Sequence, residues 1–339
     1  MTPVWSDLGA RSRGLGTRLL ERSVLERLAE APDLPALGDL LREAGVVSEI
    51  ATRRGANALE RELRRRAGVL LGSLTPWAGA RSRYLSILLE DEDRRSVSTI
   101  VRGTVQGVPA SVKTAGLVPT ELLPERALES LAARNRIAEI GGLLSLWQHP
   151  FAPALGLIAS QAQPDLFVFE RAVDRIFLDR ARVAAKRAGR RVRDFVTNSI
   201  DLHNAFAAFI LTNRGGDVDA ASMFIEGGRH LTVGEFVSVA KSTSNTEAEH
   251  SLRTALSDSI LQPVFSMDAD GPRSHEGRAL RLLLRHYKDL SRLDPVGAAP
   301  VLRFALRVRA EAIDLRRIIA GLTIGAPAGD IARDLVTLP

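Results

Sequence analysis

The sequence repeats itself three times at a spacing of about 110 residues, and this periodicity constrains the fold more than any other feature. The segment from Asp93 to Pro109 aligns with the segment from Glu311 to Pro327 at a shift of 218 residues. The shared positions include an acid, an isoleucine, two glycines and a proline. A shift of 108 residues aligns Asp93 with Asp201. Three copies of one module predict an internally repeated architecture.

A second signal lies upstream of each repeated segment. Residues 59–63 align with residues 169–173 at a shift of 110, and Glu276, with Leu280 and Leu283, gives a weaker third copy. The sequence therefore predicts three related units with approximate bounds at 1–112, 113–225 and 226–339.

The repeated segments have helical spacing. An acid is followed three residues later by Ser96, Asn204 or Asp314, and apolar residues recur four, seven and eight residues after the acid. These offsets place the whole set on one helix face, and the alanine, leucine and arginine around it favour helix. We predict an all-α protein, in which the acid lies near the start of its helix and Gly103 and Gly321 end it.

The polar residues of these helices are the candidate site residues. We expect the acid and its polar partner to cap neighbouring backbone groups or to pair with an arginine. The structural or interface candidates are Asp93, Arg102, Asp201, Asn204, Glu311, Asp314 and Arg316.

Catalytic, cofactor-binding and metal-binding motifs are not recognisable. The chain has no cysteine, and its six histidines lack zinc-site spacing. The glycines at 14 and 16 lack the lysine of a Walker loop. The acidic run from Glu90 to Asp93 is predicted to be solvated ahead of a helix, where it favours the positive helix end. We therefore predict no enzyme activity of the chain's own and no cofactor.

An uncharged stretch runs from Ile140 to Pro164, apart from His149, and is long enough to cross a bilayer. Polar residues and prolines interrupt it, so we predict two short helices broken between Trp147 and Pro153 and no transmembrane segment. The N-terminus has no apolar leader, which predicts a cytoplasmic protein.

Arginine dominates the charge, with 46 basic and 40 acidic residues and a formal net charge of +6. Genomic base composition or an anionic partner explains this excess. Two arginine-rich clusters, at 61–66 and 186–193, support an alternative function as a helical nucleic-acid-binding protein. Aromatic residues are only 5% and do not interleave with the clusters, which disfavours it. A helical scaffold is a third alternative, although such repeats are usually shorter.

The segment from Glu311 to Gly321, preceded by Asp294 to Gly297, resembles the C subunit of bacterial and archaeal V/A-type ATPases, whose equivalent in the eukaryotic vacuolar enzyme is the d subunit. That family carries three helical repeats, each with a helix of the pattern acid-Ile-x-Asn-Leu and a basic, glycine-containing turn. The segment from Ala10 to Leu20 resembles its opening helix. Ser96 and Asp314 depart from the family asparagine, and Trp5 stands where tyrosine is common.

The resemblance implies a funnel of three helical lobes that acts as a non-catalytic central-stalk subunit of a rotary ATPase. Its implied partners are the proteolipid ring (c or L) of the membrane sector and the D and F subunits of the shaft, and no nucleic acid is expected. The chain would couple shaft to ring for proton or sodium transport. It would be peripheral on the cytoplasmic face of the inner membrane, held there through the ring.

Overall fold

The computed structural model describes residues 4–48, 55–214, 219–266 and 272–339, and these ranges contain seventeen α-helices and no β-strand. The prediction of an all-α protein is confirmed. The helices are α1 (Ser6–Gly16), α2 (Arg22–Ala29), α3 (Leu34–Glu43), α4 (Ala56–Gly72), α5 (Ser82–Val105), α6 (Ala110–Thr114), α7 (Glu125–Ala132), α8 (Ile137–Leu146), α9 (Ala152–Gly156), α10 (Leu166–Ala185), α11 (Arg190–Thr212), α12 (Ala220–Met223), α13 (Val233–Ala240), α14 (Asn245–Ala255), α15 (His275–Leu293), α16 (Ala299–Thr323) and α17 (Ala328–Asp334).

Each repeated segment forms one long helix, and we call α5, α11 and α16 the central helices. They have 24, 23 and 25 residues. The prediction that the motif acid lies near the helix start is wrong, because Asp93, Asp201 and Glu311 lie near the middle of their helices. Residues upstream of the motif continue the helix, and the acids hold other segments of the chain instead of capping their own helix.

The predicted helix ends at Gly103 and Gly321 are also wrong by a few residues. The chain turns at Gly107 and Gly325, which have φ angles of 68° and 69° that favour glycine. Gly103 and Gly321 lie inside their helices, where a Cβ atom would lie 2.8 Å from the Lys113 side chain and 2.6 Å from the Ile331 side chain, respectively. Their missing side chains therefore let the following short helices, α6 and α17, fold back closely.

The helices that precede the central helices link the three segments by packing contacts. Helix α10 packs against both α5 and α11, and α15 packs against α16. Helix α15 also contacts α11, because the rings of Phe195 and Tyr287 lie 5.9 Å apart. Helix α4, from the beginning of the chain, packs against α16, and its Arg66 pairs with Glu311 near the middle of α16.

Three short helical pairs cover the central helices from outside. The pairs α2–α3, α7–α8 and α13–α14 each contain a connection of four residues. Pair α7–α8 packs on α5 and pair α13–α14 packs on α11. Pair α2–α3 packs on α16 and α17, and Arg22 donates hydrogen bonds to the carbonyls of Ala332, Leu335 and Thr337. The N-terminal pair thus completes the C-terminal part of the molecule, while the unit bounds at 112 and 225 and the funnel shape stay predictions.

The uncharged stretch forms two short helices, as predicted. Helix α8 ends at Leu146 and α9 begins at Ala152, with Gln148 at a φ angle of 53° between them. Within the ranges that the structure covers, no helix combines the length and the apolar character that crossing a bilayer requires.

Candidate functional site

A cavity of about 580 Å³ lies between the three central helices. Five repeat positions line it, and each of the three helices contributes a residue at every one of them. The sets, in the order α5, α11, α16, are Asp91, Ser199 and Arg309; Arg95, His203 and Ile313; Ser98, Phe206 and Arg316; Thr99, Ala207 and Arg317; and Arg102, Ile210 and Ala320. Offsets of three and four residues on each helix explain this, because they form one continuous face. The internal repeat therefore builds the cavity.

The backbone repeats around the cavity, but the side chains do not. Helix α5 and the second half of α16 present arginines, namely Arg95, Arg102, Arg316 and Arg317. The wall formed by α11 and the start of α10 is largely apolar, with Phe167, Leu202, Phe206, Ala207 and Ile210. A repeated scaffold thus carries a cavity with one basic and one apolar side.

Charged side chains connect the central helices across the cavity wall. Arg309 on α16 lies 2.6 Å from Asp91 on α5, and Arg94 on α5 lies 2.8 Å from the same carboxylate. Arg94 also contacts Asp174 on α10 at 2.9 Å, and His203 on α11 lies 3.1 Å from Asp174. We call Arg309, Asp91, Arg94, Asp174 and His203 the ionic belt. It joins residues from all three predicted units.

The two carboxylates of the belt stay charged despite their burial. Burial opposes the charge of Asp91, but Arg309 and Arg94 lower the pKa of this carboxyl well below its usual range. Burial also opposes the charge of Asp174, whose pKa His203 and Arg94 lower in the same way. Such a network contributes defined geometry more than net stability, because desolvation offsets most of the attraction.

The prediction that the acidic run is solvated is wrong. Glu90, Asp91, Glu92 and Asp93 lie in the middle of α5 and are buried. Arg309 contacts Glu92 at 2.5 Å as well as Asp91, and Arg180 contacts Glu90 at 2.8 Å, so arginines far away in the sequence neutralise three of the four acids. The internal alignment contains a signal for this ion pair, because Asp91 and Arg309 occupy the same repeat position with opposite charge.

In the second unit, both predicted polar residues are fully buried and hydrogen-bonded. Asp201 accepts hydrogen bonds from the backbone N–H groups of Arg229, His230 and Leu231 at 3.0 to 3.3 Å. Asn204 accepts from the N–H of Ile225 and donates to its carbonyl, at 3.0 and 2.7 Å. The pair thus binds the extended segment that leads into α13.

Arg171 completes this group from α10. Its guanidinium donates to the Asn204 side chain at 3.0 Å and to the carbonyl of Met223 at 2.6 Å. The predicted contact with an arginine is present at Asn204, whereas the backbone groups that Asp201 and Asn204 bind lie 21 to 30 residues further along the chain and are not neighbours in the helix.

In the third unit, Asp314 accepts from the N–H groups of Val336 and Thr337 at 2.7 and 2.8 Å. Glu311 accepts from the N–H of Leu20 at 2.5 Å and pairs with Arg66 of α4. Burial raises the pKa of Glu311, and Arg66 opposes this shift. The acid of the last unit thus holds the N-terminal segment.

In the first unit, Asp93 has fewer partners. One oxygen accepts from the Thr120 hydroxyl at 2.5 Å, while the other faces Nε2 of His149 at 3.8 Å. Within the described part of the chain, neither that oxygen nor Nε2 has a hydrogen-bond partner. Burial raises the pKa of Asp93, and His149 and Thr120 oppose the shift.

The two candidate arginines face the cavity. Arg102 pairs with Glu170 of α10 at 2.6 Å, and this links α5 to α10. Arg316 is exposed, packs beside Gly116 and has no carboxylate within 4.0 Å among the residues that the structure covers. The structure therefore brings Arg102 and Arg316 to one cavity, whereas the other five candidates bind chain segments elsewhere. A functional role for any of the seven stays a prediction.

Several arginines of the two arginine-rich clusters form ion pairs within the chain. Arg64 is buried and pairs with Glu125, and Arg66 pairs with Glu311. In the second cluster, Arg190 contacts Asp194 at 3.6 Å and Arg191 contacts Asp294 at 3.6 Å. The clusters therefore do not form continuous surfaces of unpaired cations.

A family comparison covers nearly the whole chain. A profile described as "ATP synthase (C/AC39) subunit" matches residues 8–333 of this chain. The chain belongs to this family. The family resemblance inferred from the motifs is confirmed, and the match covers all three central helices.

Curated relatives match over most of the chain. It is 25% identical over 329 residues to the A-type ATP synthase C subunit of Haloquadratum walsbyi, covering 94% of this chain and 88% of the relative. The A-type ATP synthase C subunit of Haloferax volcanii is 26% identical over 294 residues, covering 84% and 82%. The protein of that name in Halobacterium salinarum is 26% identical over 308 residues, covering 86% and 85%.

Proposed function

We infer that this chain is the central-stalk subunit of a V/A-type rotary ATPase or ATP synthase, where it couples the rotor shaft to the proteolipid ring. One observation carries the proposal: equivalent positions of three central helices line one cavity, in a chain of the ATP synthase (C/AC39) subunit family. The cavity would receive the end of the shaft, which the D and F subunits form. ATP chemistry and ion transfer would take place in other subunits.

Torque transmission requires that the cavity wall resists deformation. The ionic belt connects α16, α5, α10 and α11, and α4 packs on α16. Packed cores have low compressibility, so a force on one central helix is passed to the others. These contacts support a coupling role and assign none of the belt residues to catalysis.

The proposal also fixes a location. Torque must pass to the proteolipid ring, so the ring has to hold this chain while both rotate. The chain would therefore be peripheral on the cytoplasmic face of the inner membrane, and its attachment there would depend on the ring.

Reconstitution tests the proposal. Liposomes that contain the purified proteolipid ring are mixed with the D and F subunits of the same organism, with or without this chain. We expect the shaft to sediment with the liposomes only when the chain is present. The proposal fails if the shaft sediments equally without it, or if the chain binds neither component.

A variant that disrupts the ionic belt provides a second test of the proposed function. The Arg309→Gln variant removes the contact between α16 and α5, whereas Arg285→Gln changes an exposed arginine outside the cavity. In the complete complex, we expect Arg309→Gln to lower ion pumping per ATP hydrolysed and Arg285→Gln to leave it unchanged. Equal pumping by both variants would show that the belt has no part in coupling.

A further inference from the structure

The cavity wall has a surplus of positive charge that internal contacts leave uncompensated. Among the residues that the structure describes, seven arginines and five carboxylates line the cavity. Asp91, Glu92, Glu170 and Asp174 are already engaged by Arg309, Arg94, Arg102 and Arg171. Glu276, the remaining carboxylate, lies in the first turn of α15, where the helix dipole favours it.

Among the cavity arginines, Arg95 and Arg316 carry the surplus positive charge. In the part of the chain that the structure covers, neither has a carboxylate within 4.0 Å, although both line the cavity. Arg95 lies one residue from Arg94 on the cavity face of α5, and burial and Arg309 both lower its pKa. An arginine keeps its charge under such conditions, so an incoming carboxylate would be strongly favoured.

The opposite side of the cavity offers apolar contact instead. Phe206 and Ile210 are at the repeat positions of Ser98 and Arg102, and Ile210 is 48% exposed. A symmetric occupant would meet three different chemistries at equivalent places, namely Ser98, Phe206 and Arg316. The cavity therefore fits one asymmetric element in one orientation.

We propose that the cavity binds the end of an amphipathic helix of the shaft, with its acidic side on Arg95 and Arg316 and its apolar side on α11. This proposal rests on the proposed function and adds the chemistry and the orientation of the partner. A helix carries an acidic and an apolar face on opposite sides, which is the pattern that the two cavity walls require.

Binding of the D and F subunits to purified variants tests the proposal, by calorimetry at about 0.05 M and about 0.3 M sodium chloride. We expect the Arg95→Gln and Arg316→Gln double variant to weaken binding at least about tenfold at low salt and to lose most of its salt dependence. Arg285→Gln, an exposed arginine outside the cavity, should stay within about twofold of the wild type.

The apolar wall is tested separately. Ile210→Asn changes a half-exposed side chain, so the fold should tolerate it, and binding should weaken while its salt dependence remains. Thermal unfolding of each variant checks the fold. We expect at most a small decrease for the double variant, because Arg95 and Arg316 have no carboxylate within 4.0 Å among the described residues and Arg316 acts on Glu60 only at longer range.

Failure of the proposed function and failure of this inference give different binding results. If the wild-type chain does not bind the shaft at all, both the proposed function and this inference fall. If the wild type binds and the double variant binds equally well with the same salt dependence, only the inference is overturned. Lysine substitutions of acids at the shaft end should weaken binding to the wild type; unchanged binding by every one of them also overturns it.

Discussion

Asp201 and Asp93 occupy the same position in two copies of the repeat, yet they hold the following chain segment in different ways. Asp201 accepts three backbone N–H groups, whereas Asp93 accepts one hydroxyl hydrogen bond and leaves an oxygen facing His149. The repeat position 27 residues after each acid differs between the units. It is Gly228 after Asp201 and Thr120 after Asp93.

The residue at that position explains the difference. A Cβ atom on Gly228 would collide with the Asp201 carboxylate, so glycine lets the backbone approach it. In the first unit the Thr120 side chain fills this space and offers its own hydroxyl. The comparison teaches that one repeated scaffold supports two solutions for a buried acid, and that only one of them satisfies the acid fully.

The largest effect is expected for Asp201→Ala. The change leaves three buried N–H groups without their charged acceptor, and we expect it to lower the free energy of unfolding by about 4 kcal/mol. Urea unfolding measures this, with Asp258→Ala as a control at an exposed aspartate. A loss below about 1 kcal/mol would show that these hydrogen bonds do not hold the segment.

Asn204→Ala should have the next largest effect. It removes the contacts to Arg171 and to both backbone groups of Ile225, for a loss of about 3 kcal/mol. Ser96→Ala changes the same repeat position in the first unit, where no hydrogen bond of this kind occurs within the described residues, and should cost less than about 0.5 kcal/mol. Equal losses would contradict a difference between the two units.

Gly228→Thr sharpens the comparison by placing the first unit's residue in the second unit. The new side chain collides with the Asp201 carboxylate, and we expect a loss of about 2 kcal/mol by urea unfolding. The reciprocal Thr120→Gly variant should instead remove one hydrogen bond and leave Asp93 less satisfied. If Gly228→Thr is neutral, the glycine is not needed for the approach of the backbone.

The smallest effect concerns the pH dependence of Asp93. Burial raises the pKa of Asp93 in the folded protein above its ordinary value of 3.8, so the folded chain binds a proton more tightly than the unfolded chain. The stability that this proton contributes is present at low pH and is lost as the pH rises through the folded pKa.

Asp93→Asn stays neutral at every pH and tests this dependence. Relative to the wild type, the variant should therefore gain stability as the pH rises from about 4 through the folded pKa of Asp93. Unfolding in urea at several pH values gives the difference, with Asp258→Asn as the exposed control. A difference that does not change with pH would mean that Asp93 is ionised throughout this range.

The sequence placed the repeated polar residues on one helix face but misjudged the acidic run of α5. Spacing on one helix face was enough to find Asp201, Asn204 and Asp314, because helical geometry is local. The run from Glu90 to Asp93 was assigned to solvent, since its main partner Arg309 lies 217 residues beyond Glu92. Spacing along one helix cannot show such a partner.

The sequence by itself determined that the chain is helical, that one module occurs three times and that the chain belongs to a known family. These properties depend on periodicity and on side-chain type, which are local. Only the tertiary structure decided that five repeat positions meet around one cavity, that the N-terminal helical pair packs on the C-terminal part and that, among the described residues, Arg95 and Arg316 have no carboxylate within reach there. Those outcomes depend on which distant charges and surfaces meet in space, because the free energy of a buried charge is set by its neighbours and not by its position along the chain.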